Sequence, residues 1–87
     1  MSIGRETTKK FTRQQILDAL HQLDDQEKYG MILRAKGIVA GEDGTWIHFD
    51  YVPGEYDVRK GSAGIIGRLC VIGSSVKEDA ILQLFGV

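Results

Sequence analysis

The chain has 87 residues, with 11 lysine and arginine residues against 12 acidic ones and a formal net charge of −1 at neutral pH. Its content of 43% hydrophobic and 26% charged residues is typical of a soluble globular protein. Because a single domain commonly has roughly 100–150 residues, this length predicts one domain over residues 1–87. The near-neutral charge excludes the strongly basic surface of a duplex DNA-binding protein, so no nucleic-acid partner is expected.

The N-terminal segment and the cysteine content indicate the cellular compartment. No apolar run approaches the ~20 residues that a membrane-spanning helix needs, and the N-terminal segment is charged, without the apolar core of a secretory signal. Cys70 is the only cysteine and cannot form an internal disulfide, which is typical of a reducing compartment. We therefore expect a cytoplasmic protein without a membrane partner.

The first predicted elements are an edge strand and a helix. The segment 3–10 carries β-branched threonines and lysines, a composition that suits a short edge strand. Residues 12–24 predict a helix that begins with a capping box between Thr12 and Gln15. Its apolar stripe consists of Ile16, Leu17, Leu20 and Leu23. The polar residues 24–28 then predict a loop whose aspartates are solvated.

Four further strands are predicted over 31–39, 45–52, 55–59 and 67–72. An Asp-Gly turn joins the first two, and a glycine-rich turn follows residue 59. Alternation along the first of these strands places Met31, Leu33, Ala35, Gly37 and Val39 on the face that is more apolar. Along the second strand, Trp46, His48 and Asp50 point away from Ile47, Phe49 and Tyr51.

The chain ends with a second amphipathic helix. Ser75 and Glu78 have the spacing of another capping box, and Gly86 has the position of a C-terminal cap. The predicted fold is therefore α+β, an antiparallel sheet of four or five strands in the order (β)-α-β-β-β-β-α, with two helices packed on one face. The opposite face of the sheet is left without a cover.

Motifs for catalysis and metal binding are sparse. The sequence has no P-loop, and the glycines between 61 and 67 are not followed by the required Lys-Ser/Thr. His48 and Asp50 share a strand face and form a weak candidate metal site, alongside the alternative that both are surface residues. Cys70 has the surroundings of a buried apolar thiol, although a nucleophile paired with His48 is a further alternative.

One feature of the uncovered face favours protein recognition. Trp46 is expected to be exposed there beside Arg34 and His48, and tryptophan and arginine are enriched at interface hot spots. The alternative is that Trp46 folds over the edge of its own core.

Three segments also carry a resemblance. They read Phe11-Thr12-x-x-x-Ile16-Leu17-x-x-Leu20, Leu33-Arg34-Ala35-Lys36-Gly37-Ile38 and Arg68-Leu69-Cys70-Val71-Ile72-Gly73. In the same order they resemble the F-[DT]-x-x-x-L-x-x-x-L helix, the L-R-x-K-G strand and the R-L-hydrophobic-hydrophobic-I-G strand of the CobW C-terminal domain. This domain belongs to P-loop GTPases of the CobW and nitrile-hydratase-activator type, and the resemblance spans about residues 5–86.

The resemblance implies a function that the residues alone do not. It implies a non-catalytic partner-binding or regulatory domain, excised from a GTP-dependent metallochaperone that serves metal delivery or cobalamin synthesis. GTP, magnesium and a transition metal, zinc or cobalt, would bind the missing N-terminal domain. That domain and a client metalloprotein are the expected partners, and the predicted contact residues are Arg34, Lys36, Trp46 and His48. The rival hypotheses are the stand-alone metal binder with His48 and Asp50, and a small enzyme that uses Cys70.

Overall fold

The computed structural model describes all 87 residues. Its elements are, in chain order, β1 (Ser2–Thr7), β2 (Lys10–Phe11), α1 (Arg13–Gln22), α2 (Gln26–Tyr29), β3 (Met31–Gly41), β4 (Trp46–Val52), β5 (Glu55–Gly61), β6 (Gly67–Ser74) and α3 (Glu78–Phe85). The α+β class and the predicted order are confirmed. The edge strand predicted over 3–10 is in fact two strands, β1 and the two-residue β2. None of the helices has the length and apolar character needed to cross a bilayer.

The order of strands across the sheet differs from their order in the chain. It is β1-β6-β3-β4-β5, with all these neighbours antiparallel, and β2 adds a parallel pair at the end of β3. The last strand, β6, therefore lies between β1 and β3. Because β5 and β6 are not neighbours, the glycine-rich turn predicted after residue 59 is wrong as a hairpin. Residues 62–66 instead cross the sheet from one strand to the other, and we call them the crossing segment.

The core lies between the sheet and the helices, which pack on one face as predicted. It contains 19 buried residues, and the largest come from β4, α1 and α3: Phe49, Tyr51, Ile16, Leu20, Ile81 and Phe85. The rings of Phe49 and Phe85 stack with centroids 6.0 Å apart. The Phe49 ring occupies space beside Gly37, where a Cβ atom would come within 2.5 Å of it.

A bulge in β3 changes the predicted faces of that strand. The pairing of β3 with β6 shifts between Ile32 and Arg34. After the shift, Ala35 and Val39 point into the core as the alternation predicts. Before it, Ile32 is buried whereas Leu33 is 51% exposed, so the prediction that Leu33 shares the face of Ala35 and Val39 is wrong. The extra residue of a bulge reverses the alternation, and alternation read from sequence cannot anticipate it.

The helix ends confirm one capping box and correct another. The Thr12 side chain accepts a hydrogen bond from the Gln15 amide at 3.1 Å, and the Gln15 side chain accepts one from the Thr12 amide at 2.9 Å. The second predicted box is wrong, because Lys77 precedes α3 without a side-chain cap and Ser75 has a positive φ of 53°.

The predicted loop over 24–28 contains the short helix α2, and the Asp25 side chain accepts a hydrogen bond from the Lys28 amide at its start. Two adjacent aspartates fit a helix start as well as a loop, so composition alone does not separate the two.

Candidate interaction face

The sheet face turned away from the helices is the candidate functional site, and we call it the open face. Alternation along the strands, together with the buried positions between them, places side chains of β1 and of β3 to β6 on it, and twelve of them make up the candidate site. They are Arg34, Lys36, Ile38, Trp46, His48, Asp50, Val52, Asp57, Arg59, Arg68, Cys70 and Ile72. No helix of the chain covers this face, as the sequence predicted.

Three aliphatic side chains on the strands of the open face are in contact with water. Ile38 is 39% exposed, Val52 is 38% exposed and Ile72 is 41% exposed. Leu33 at the bulge and Ile66 in the crossing segment are also exposed. Apolar area in contact with water costs about 25 cal/mol per Å², so covering this face with a partner would be favourable.

The charges of the open face form a chain of ion pairs around Asp50. Its carboxylate accepts hydrogen bonds from Arg34 at 3.3 Å and from Arg59 at 3.1 Å. The Arg59 guanidinium also pairs with Asp57, and these contacts, that with Asp50 first, raise the pKa of Arg59. Lys36 on β3 pairs in register with Asp50 on β4 and with Cys70 on β6, and no carboxylate lies within ion-pair distance of its side chain. Lys36 is therefore a cation that a partner's carboxylate can neutralise.

Trp46 and His48 are partly covered by the crossing segment, which corrects the expectation that Trp46 is exposed. Both side chains are half-buried. The His48 Nε2 atom lies 2.8 Å from the Ser62 carbonyl oxygen, to which it donates in either the neutral Nε2–H or the cationic form. A Cβ atom at Gly64 would lie 3.3 Å from the Trp46 ring. The alternative interpretation, in which Trp46 folds over the edge of its own core, is not confirmed, because Trp46 packs on the crossing segment on the face opposite to the core.

The four predicted contact residues all lie on the open face but not together. Trp46 and His48 are two residues apart on β4. Lys36 on β3 pairs with Asp50, which is two residues beyond His48 on β4. Arg34 is at the other end of β3, since Trp46 pairs with Ala40. Six residues of strand separate Arg34 from Ala40, a distance of about 20 Å. The expectation that Arg34 stands beside Trp46 is therefore wrong.

The candidate metal ligands line one groove without forming a cluster. His48, Asp50 and Cys70 border a cavity of about 250 Å³ in the open face. Neighbouring strands lie about 4.8 Å apart, so β4 and β6, with β3 between them, are about 10 Å apart, too far for shared ligation or for a Cys70–His48 pair. The structure contains no group of three or more His, Cys, Asp or Glu side chains placed to hold a metal ion.

The sequence did not predict a cluster around Asp24, which lies on the helix side of the sheet. The Asp24 carboxylate accepts hydrogen bonds from the hydroxyls of Tyr51 and Tyr56 and from the Gly54 amide. The bonds from the tyrosines lower the pKa of Asp24, Tyr51 first. The ring of Tyr56 in turn stacks on His21, with centroids 3.9 Å apart. The pair of tyrosines on β4 and β5 could have indicated a shared hydrogen-bond acceptor, but that acceptor is at least 27 residues away in sequence.

Comparisons with known proteins agree with this architecture. The structure superposes on a zinc-bound triple variant of the YjiA GTPase with a TM-score of 0.78 at 20% identity, covering 98% of this chain and 28% of that one. It superposes on the zinc-bound YjiA GTPase from E. coli with a TM-score of 0.73 at 22% identity and the same coverage. This chain therefore spans less than a third of the length of either structure. A comparison with curated protein sequences gives no significant match.

The fold is that of an α+β domain that the two longer YjiA GTPase chains also contain. Residues 2–86 match the family described as the cobalamin synthesis protein cobW C-terminal domain. The chain belongs to this family, and by itself it is not the catalytic part of a GTPase. The resemblance noted in the sequence is thereby confirmed.

Proposed function

We propose that this chain is the C-terminal partner-binding or regulatory domain of a CobW-type, GTP-dependent metallochaperone that acts in the cytoplasm in metal delivery or cobalamin synthesis. The open face would dock the GTPase domain of the same polypeptide, and a client metalloprotein would be a second partner. The observation that carries the proposal is the exposure of Ile38, Val52 and Ile72 on a sheet face that no helix of the chain covers.

The nucleotide and the metal cargo are assigned outside this chain. The sequence has no P-loop to cradle phosphates, and no three-ligand cluster is present. GTP, magnesium and the transported zinc or cobalt would therefore be held by an N-terminal domain. The similar structures, which are three to four times longer and are described as zinc-bound GTPases, support this division.

Titration of this chain into the GTPase half of its parent, followed by calorimetry, tests the proposal. Ile72→Glu places an unpaired charge within the proposed interface and should weaken binding at least about 30-fold, the effect of a hot-spot residue. Gln22→Glu adds the same charge on an exposed position of α1 and should leave the affinity unchanged. Equal affinities for both variants would contradict docking through the open face.

A further inference from the structure

The crossing segment carries an isoleucine that the domain does not use. Ile65 is 104% exposed, more than any other large hydrophobic residue, and the adjacent Ile66 is 37% exposed. The five residues from Ser62 to Ile66 include no charged side chain. Because Arg68 pairs with Ile38 in register, the end of the segment leads into the strand that borders Ile38 on the open face. Ile65 therefore lies next to a second exposed isoleucine at the rim of the open face and is not an isolated exposed residue.

The crossing segment is held at two points that precede Ile65. His48 bonds to the Ser62 carbonyl oxygen at 2.8 Å, and the Trp46 ring lies against Gly64. The His48 ring can reach Ser62 because it lies over Gly61, where a Cβ atom would come within 2.4 Å of it. Two large side chains and two glycines thus fix a segment whose most apolar residue points into solvent. A loop fixed before binding loses less entropy when it binds.

We propose that the crossing segment is a preformed recognition loop that inserts Ile65 into an uncharged apolar pocket on the GTPase domain of the same polypeptide. This inference rests on the proposed function. Two observations favour the GTPase domain as the partner that holds Ile65. The crossing segment is continuous with the open face, and this chain covers only 28% of the similar GTPase chains, so most of each of those chains lies outside the region it matches. The segment carries no charge, so a charged group in the pocket would lose its hydration without gaining an ion-pair partner. The pocket is therefore expected to be uncharged.

Carbene footprinting of the full-length parent and of the free 87-residue chain tests the inference, because it labels aliphatic and aromatic side chains by their exposure. Labelling of Ile65 should be severalfold lower in the parent than in the free chain. In the parent, Ile65→Ser should restore the labelling of Ile66 to the level of the free chain, whereas Ile65→Val should not. Ile65 is fully exposed here, so neither variant should change the melting temperature of the free chain.

The outcomes separate this inference from the proposed function. Protection of Ile38 and Ile72 with full labelling of Ile65 would overturn the recognition loop and leave docking through the open face intact. Full labelling of all three residues in the parent would overturn both. Protection of Ile65 only after addition of phosphatidylcholine vesicles would overturn the protein pocket in favour of a membrane. Protection of Ile65 and Ile66 in the parent, with the protection of Ile66 lost in Ile65→Ser and kept in Ile65→Val, supports the inference.

Discussion

The carboxylate of Asp24 accepts a hydrogen bond from the hydroxyl of Tyr51 at 2.6 Å, and this contact joins the segment after α1 to the end of β4. Tyr51 is only 1% exposed, so its hydroxyl has little access to water as an alternative partner. The bond from the Gly54 amide to the same carboxylate also fixes the turn between β4 and β5. One side chain therefore holds a helix end, a strand and a turn together.

Asp24→Ala should destabilise the domain by about 1–2 kcal/mol, because it leaves the nearly buried Tyr51 hydroxyl without an acceptor. Urea unfolding followed by circular dichroism measures the change. Glu55→Ala is the matched control, since Glu55 is an exposed carboxylate that takes part in none of the ion pairs. Equal losses for the two variants would show that the Asp24 cluster contributes nothing specific.

The same cluster predicts a dependence of stability on acid. The pKa of Asp24 is lowered below its ordinary value of 3.8 by the tyrosine hydroxyls, so its contribution to stability is complete above that value and is lost as the pH falls through the folded-state pKa. The difference in melting temperature between the natural chain and Asp24→Asn should therefore shrink between pH 6 and about pH 3. A difference that stays constant over this range would exclude a lowered pKa.

An alkaline counterpart follows from Tyr51. Burial first, and then the bond to Asp24, raise the pKa of the Tyr51 hydroxyl above its ordinary value of 10.0. Its contribution to stability is therefore complete below pH 10 and is lost as the pH rises further. The bond to Asp24 also raises the pKa of Tyr56, so ultraviolet titration should detect two tyrosines fewer ionising near pH 10 in the native chain than after denaturation. Tyr51→Phe should remove one of these two late-ionising groups. Simultaneous titration of all tyrosines would contradict this.

Two glycines of the sheet, Gly37 on β3 and Gly4 on β1, should respond differently to alanine. A Cβ atom at Gly37 would come within 2.5 Å of the Phe49 ring and 2.8 Å of the Arg68 carbonyl oxygen, whereas one at Gly4 would meet nothing within 4 Å. Gly37→Ala should therefore cost about 1–3 kcal/mol through overpacking, and Gly4→Ala should change stability by less than about 0.5 kcal/mol. Chemical denaturation of both variants checks this, and equal effects would exclude the close approach of Phe49.

The two capping motifs should also differ. Thr12→Ala removes an observed cap and should cost about 1 kcal/mol. Ser75 makes no cap and has a φ of 53°, so Ser75→Gly should be neutral or slightly stabilising. Thermal unfolding of the two variants provides the comparison. A loss of stability in Ser75→Gly would restore the capping role that the sequence predicted.

The elements that the sequence predicted correctly depend on contacts between near neighbours. The capping box of α1 joins residues three apart, and alternation along β4 is uninterrupted, so both follow from local spacing. The glycine of the L-R-x-K-G motif is required by packing against a neighbouring strand, which the spacing of residues along the motif cannot predict. This glycine, Gly37, makes room for Phe49 on the adjacent strand.

The features that were missed depend on residues far apart in the chain. The bulge at Leu33 is a property of the pairing between β3 and β6, and β6 begins more than 30 residues later. The cover over Trp46 and His48 comes from the crossing segment, whose path is set by the position of β6 in the sheet. The sequence indicated that an uncovered face exists, but the arrangement of its residues required the strand order.

The position of β6 between β1 and β3 also sets the sequence of events during synthesis. Residues Ser2 and Ile72 pair across the sheet, so β1 has no partner until the ribosome has released nearly the whole chain. The β3–β4–β5 meander can form earlier from adjacent segments. A nascent chain halted before Gly67 would expose one long edge of β3 together with an unpaired β1, a species prone to aggregation. Completion of this domain is therefore a late, slow step, limited by the arrival of its penultimate element.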